Sequence, residues 1–191
     1  LSGSYNSAEV AKKIYLEEHP NTNIHVINSL SAGGEVDLIV RKLNQLVAEG
    51  LDFDQVVDVI TTYQSKTKLL FVLAKVDNLV KNGRLSKLIG TVVGLLNIRM
   101  VGEASKTGTL ELLQKARGQK KAIKAAFDEL IKAGYAGGHI TIAHRNNEKF
   151  IEQFSALVRE KFAHAMIEVL PTSGLCSFYA EEGGLLMGYE I

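Results

Sequence analysis

LSGSYNSA, residues 1–8, is the stretch whose reading decides the fold. A run of small hydroxyl residues around Gly3 is followed by Ala8, Ala11, Ile14 and Tyr15 at helical spacing. Such a segment is a loop handing over to a helix, and a strand is expected ahead of it. Asn6 followed by Glu9 has the form of a capping box. The helix is expected to stop before His19-Pro20, because proline drives the residue before it out of the α region. The chain opens without Met on this loop, and the expectation is that its true start is missing.

Working outward, IHVIN (24–28) reads as a short strand and SLSAGGE (29–35) as a small-residue turn. Val36, Ile39, Val40, Leu43 and Val47 predict the apolar stripe of a helix closed by Gly50. Asp52 or Asp54 is expected to cap the next helix, which runs to about Tyr63. LLFVL (69–73) is a strand. Two short helices are expected on either side of Asn82-Gly83, followed by a strand at IRMVGE and a turn at Gly108. Ile123, Phe127, Leu130 and Ile131 stripe a helix ending at Gly134. HITIAH (139–144) is a strand, Phe150 to Val158 a helix, and AMIEVL (165–170) a strand. The tail from Gly174 is expected to hold one or two strands around the Glu-Glu-Gly-Gly turn. Helices and strands that alternate with short connections predict an α/β fold with parallel or mixed sheets and flanking helices. The polar run TYQSKTK suggests a boundary between a first domain, 1–64, and a second, 65–191.

Bulk properties narrow the function. The chain has 191 residues, 46% of them hydrophobic, enough for a folded core. Lys and Arg number 22 against 21 Asp and Glu, so no global charge favours nucleic acid or an anionic membrane surface. No apolar run approaches the ~20 residues of a membrane helix. A single cysteine, Cys176, excludes an intramolecular disulfide and fits a cytoplasmic protein. His139 and His144 sit five residues apart on a strand, on opposite faces, and make a poor metal pair. No metal site and no catalytic residue is expected.

The ordered motifs carry a resemblance. LSGSYNSA, VINSLSAGGE, LAKVDNLVKNGRLSK, GLLNIRMV, the element Lys115, Arg117 and Gly118, and ITIAHRN follow one another as in the DegV family, across nearly the whole chain. The resemblance implies a two-domain α/β protein, its first domain truncated here, that holds one long-chain fatty acid. It further implies a partner fatty-acid kinase that phosphorylates the carboxylate of the bound acid. On this reading Ser2 occupies the family's carboxylate-binding serine position. Departures are visible: Asn28 stands for an aspartate, Asn82 for a glycine, Met100 or Val101 for a proline, and Tyr179 for the family's C-terminal histidine.

Physical chemistry suits that role. Hydroxyls and backbone N–H groups at a helix start stabilise a carboxylate, aided by the helix dipole. Ser2, Gly3 and Ser4 supply that arrangement, and the Tyr179 hydroxyl can add a hydrogen bond. Ser29, Arg84 and Arg117 are candidates for a cleft or a partner-facing surface. Lys115, Arg117, Lys120, Lys121 and Lys124 read as a basic run opening a helix. No cofactor is expected beyond the fatty acid itself. The rival readings are a small-molecule kinase or phosphotransfer enzyme, for which no Gly-rich phosphate loop is present, and a regulatory interaction domain docking through the basic run.

Overall fold

A computed structural model of the chain describes residues 3–85 and 97–191. Three helices come first: α1 (Ser4–Glu18), α2 (Gly34–Ala48) and α3 (Phe53–Gln64). After them run β1 (Thr67–Leu73), α4 (Asp77–Lys81), β2 (Ile98–Ala104), β3 (Leu110–Arg117), α5 (Gln119–Lys132) and β4 (His139–His144). The chain finishes with α6 (Glu148–Lys161), β5 (Met166–Pro171), α7 (Gly174–Ala180) and β6 (Leu185–Glu190). The described strands form one six-stranded sheet in the order β3-β2-β1-β6-β4-β5. β4 and β5 are parallel, joined through α6, while the other neighbouring pairs are antiparallel. The sheet is mixed and carries helices on both faces, as the alternation of elements predicts.

Side chains alternate across each strand, so the sheet has two distinct apolar faces. On the first, Leu70, Val72, Val101, Ile140, Ile142 and Met187 meet Phe150 and Phe154 of α6 and the Ala122–Leu130 stretch of α5. Each large side chain fully buried here contributes about 1.5–3 kcal/mol. On the second face, Phe71, Leu73 and Met100 pack with Val76, Leu79 and Leu85 around α4 and with Ala180 of α7. A third cluster, Ile39, Leu46 and Ile60, holds α2 to α3. The 64/65 position falls in the tight turn between α3 and β1, where the Lys66 amide donates to the Tyr63 carbonyl at 2.8 Å.

α2 lies on the second face beside the α4–α7 group, and glycines set its position. A Cβ on Gly34 would stand 2.1 Å from the Thr141 carbonyl oxygen, and one on Gly188 would stand 2.2 Å from the Glu35 amide nitrogen. Backbone meets backbone there, a contact only glycine permits. This contact also fixes the rotation of α2. The buried residues are Glu35, Leu38, Ile39 and Leu46, whereas Val40 and Val47 of the expected stripe are 47% and 67% exposed.

Other sequence expectations are corrected as well. The Asn6–Glu9 capping box does not form: α1 begins at Ser4 with Gly3 at the N-cap and no side-chain cap, so Asn6 already lies inside the first turn. Residues 24–28 keep Ile24, Val26 and Ile27 partly buried but make no strand, since no described strand pairs with them to form a ladder. Lys115 and Arg117 belong to β3, not to a helix. The left-handed Gly118 (φ 80) ends the strand, and α5 starts at Gln119. The tail from Gly174 contributes a helix, α7, and then one strand. Ser173 opens α7 in extended geometry, Ala180 is buried beneath it, and these contacts override the strand preference of Phe178 and Tyr179. The expected second helix beyond Asn82-Gly83 lies outside the described residues. Expectations met include the end of α1 at Glu18, the left-handed Gly50 after α2, and the Asp52 cap. Asp52 forms a full capping box with Gln55 at the head of α3.

Candidate functional site

The second face of the sheet gathers the residues of interest. α4 is tied to α7 through Asn78, whose side-chain amide donates to the Phe178 carbonyl at 2.8 Å. The Asn78 backbone N–H donates to a Glu181 carboxylate oxygen at 2.9 Å. Glu181 adopts a left-handed backbone (φ 53), and Gly83 (φ 67) turns the chain after α4. The Arg84 amide then closes on the Leu79 carbonyl at 2.8 Å. This turn lays the Arg84 guanidinium over the Tyr179 ring, 4.9 Å from its centroid. Phe178 meets the same ring edge-on at 5.0 Å. Tyr179 is half-buried against Phe71, Leu79, Leu85 and Met100, with Leu110, Leu112 and Leu186 alongside.

A strap crosses this apolar cluster. In residues 29–33, the Ser29 hydroxyl accepts from the Ser31 amide at 3.3 Å. Leu30 is exposed and left-handed (φ 52), and it lies against Gly108 of the β2–β3 turn. A Cβ on Gly33 would stand 3.0 Å from the Leu186 Cβ, so the strap runs directly over the cluster. The Ser31 hydroxyl donates to Glu35, whose other carboxylate oxygen accepts from Thr67 at 2.8 Å. Glu35 is only 6% exposed. Loss of hydration pushes its pKa above the usual carboxylate value, with the Ser31 and Thr67 hydrogen bonds and Lys68 opposing that rise.

The sequence-predicted residues divide as follows. Ser2 lies outside the described residues. Gly3 and Ser4 stand exposed at the N-terminus of α1. Arg84 and Tyr179 are brought into contact. Ser29 lies in the strap. Arg117 is exposed at the end of β3, paired across to Ile98. Lys115 pairs with Met100, a member of the second-face cluster, while Ala116 belongs to the first-face core. Side-chain alternation therefore puts Lys115 and Arg117 on the face that carries Arg84 and Tyr179. Glu35 was missed by sequence reasoning. Its signal was a carboxylate placed directly after the Gly-Gly pair and within the apolar repeat. Among the described residues no group of three or more His, Cys, Asp or Glu could hold a metal ion. No described helix is long and apolar enough to cross a membrane. A groove of about 480 Å³ lies between α6 and β5, lined by His144, Glu148, Glu152, Arg159, Ile167 and Val169.

These features define an α/β protein whose mixed sheet presents an apolar cluster, rimmed by cations, beneath a backbone strap. Residues 1–189 match the model described as "Uncharacterised protein, DegV family", and the chain belongs to the DegV family. It is 78% identical over 191 residues to a DegV domain-containing protein of Streptococcus gordonii, covering 100% of this chain and 68% of that one. Among solved structures, it is similar to a Streptococcus pneumoniae protein described as the Fatty Acid Kinase B3 protein loaded with linoleic acid. The identity there is 76% and the TM-score 0.98, over 100% of this chain and 68% of the other. A DegV family protein from Eubacterium eligens loaded with heptadecanoic acid matches at 38% identity and TM-score 0.94, over 99% of this chain and 68% of that one.

Proposed function

We propose that this protein binds one long-chain fatty acid without chemically altering it. The carboxylate is held by the Ser2-Gly3-Ser4 loop at the head of α1, with Tyr179 assisting, and the tail lies in an apolar slot. The single observation that carries this reading is the pair of similar structures, at 76% and 38% identity, that hold linoleic and heptadecanoic acid. The second-face cluster supports it chemically, because an apolar site with a few polar groups at one end is what an amphiphile requires. The acid is then presented, in the cytoplasm, to a partner fatty-acid kinase that phosphorylates the carboxylate. The description of the Streptococcus pneumoniae relative as a fatty acid kinase B3 protein favours that step.

Mass spectrometry of gently extracted protein tests the first part. A stoichiometric acyl chain is expected, and protein that never carries one under any loading condition sinks the reading. Incubation of the loaded protein with a candidate kinase and ATP tests the second part, with acyl phosphate as the expected product.

A further inference from the structure

We infer that the open edge of β5, together with the outer face of α6, docks a second copy of this chain, so that two sheets join edge to edge about a twofold axis. β5 ends the described sheet on one side, and its strand neighbour is β4 alone. An edge strand presents unpaired N–H and C=O groups along its free side, and proteins guard such edges with charge. β3, at the opposite edge, follows that rule with Glu111, Lys115 and Arg117. β5 does not. It reads MIEVLP, and its one charge, Glu168, is held by Arg41 of α2 at 2.7 Å. Met166 and Val169 stand 60% and 45% exposed on it. Pro171 is the last residue of the strand, so its missing N–H falls at the end of the run.

The chemistry of α6 selects a second copy as the occupant. The stripe of α6 that faces the groove beside β5 reads Glu148, Glu152, Ser155, Ala156 and Arg159. It is acidic at one end, small in the middle and basic at the other. Ser155 and Ala156 lie midway between Glu152 and Arg159. A second α6 laid antiparallel across that midpoint brings Glu152 of each copy to Arg159 of the other. Such self-complementarity is what a twofold interface requires. Among the described residues Glu148, Glu152 and Arg159 enter no ion pair within the chain, so these charges remain available to a partner.

The same axis serves the strand. α6 has 14 residues and β5 has 6, so each is about 20 Å long. They run in opposite directions, because α6 is the crossover between the parallel strands β4 and β5. The Ser155–Ala156 midpoint of the helix is therefore level with Glu168 and Val169 at the midpoint of the strand. A twofold axis there, perpendicular to the sheet, sets the two β5 strands antiparallel and keeps both α6 helices on one face. Ile167 and Val169 of both copies then fill the groove between the helices. The second face, with Arg84 and Tyr179, stays open in each copy.

Sedimentation velocity of this chain across a concentration series tests the inference. The mass is expected to rise from one chain towards two with concentration, and the association should weaken as salt is raised. Glu152→Arg and Arg159→Glu should each raise the dissociation constant roughly tenfold or more, because like charges then meet twice per dimer. Mixing these two variants in equal amounts should restore association, since every arginine of one copy then faces a glutamate of the other. Val169→Lys should abolish association by charging the edge. All three positions are exposed, so far-UV circular dichroism should stay unchanged in each variant. A single-chain mass at every concentration up to about 1 mM overturns the inference. A dimer indifferent to all three substitutions places the contact elsewhere and overturns it too. Charge variants that weaken the dimer but do not recover on mixing overturn the twofold pairing of Glu152 with Arg159.

Discussion

The Thr67 hydroxyl donates a 2.8 Å hydrogen bond to the Glu35 carboxylate, joining the first turn of α2 to the first residue of β1. Ser31 donates to the same carboxylate, so one buried acid ties the strap, the helix and the sheet together. Its pKa lies above that of an ordinary carboxyl group because burial penalises the charged form most. A raised carboxyl pKa means that the folded state holds the proton more tightly than the unfolded chain. The stabilising contribution is complete below the unfolded value and is lost as pH climbs through the folded one. Glu35→Gln cannot titrate, so its stability relative to the unmodified protein should improve as pH is raised from about 4.5 towards neutrality. Urea unfolding at a series of pH values measures this, and a constant difference between the two proteins would contradict it.

Gly188 faces the start of α2 with no room for a side chain. Gly188→Ala should destabilise the fold by about 1–3 kcal/mol, because the helix must lift from the sheet to admit a methyl group. Chemical denaturation reads the loss directly. An unchanged midpoint would show that α2 is not seated on β6 in solution.

Asp52 caps α3 by accepting from the Gln55 amide at 2.9 Å, and the Gln55 side chain accepts in return from the Asp52 amide at 3.0 Å. Asp52→Ala removes this acceptor and should cost about 1 kcal/mol. The expected readout is a lower thermal midpoint with fatty-acid affinity retained, since this cap lies on the α2–α3 cluster, away from Arg84 and Tyr179.

Ser2 and Ser4 carry the proposed carboxylate contact. Ser2→Ala and Ser4→Ala should each weaken fatty-acid binding by about 1.5 kcal/mol or more, the worth of a hydrogen bond to a charged acceptor. Titration calorimetry with a single acid provides the measurement. If both variants bind as tightly as the unmodified protein, the head group is held elsewhere.

The sequence by itself determined the local elements and the family. Asp52 with Gln55, Gly50 after α2, His19-Pro20 after α1 and the continuous apolar run of β1 are signals contained within a few residues, where turn chemistry and local hydrophobicity act. The ordered DegV motifs were legible for the same reason, each being a short contiguous string. Tertiary structure alone decided the rest. The rotation of α2 depends on Gly34 meeting Thr141 and Gly188, so Val40 and Val47 face outward despite their spacing. Whether residues 24–28 and 174–180 become strands depends on partners far along the chain, and neither does, although the tail goes on to form β6. The Arg84–Tyr179 contact likewise exists only once Asn78 has tied α4 to α7. Period and capping are properties of neighbouring residues, whereas helix rotation, strand pairing and the meeting of charge with ring are set by surfaces that the folded chain brings together.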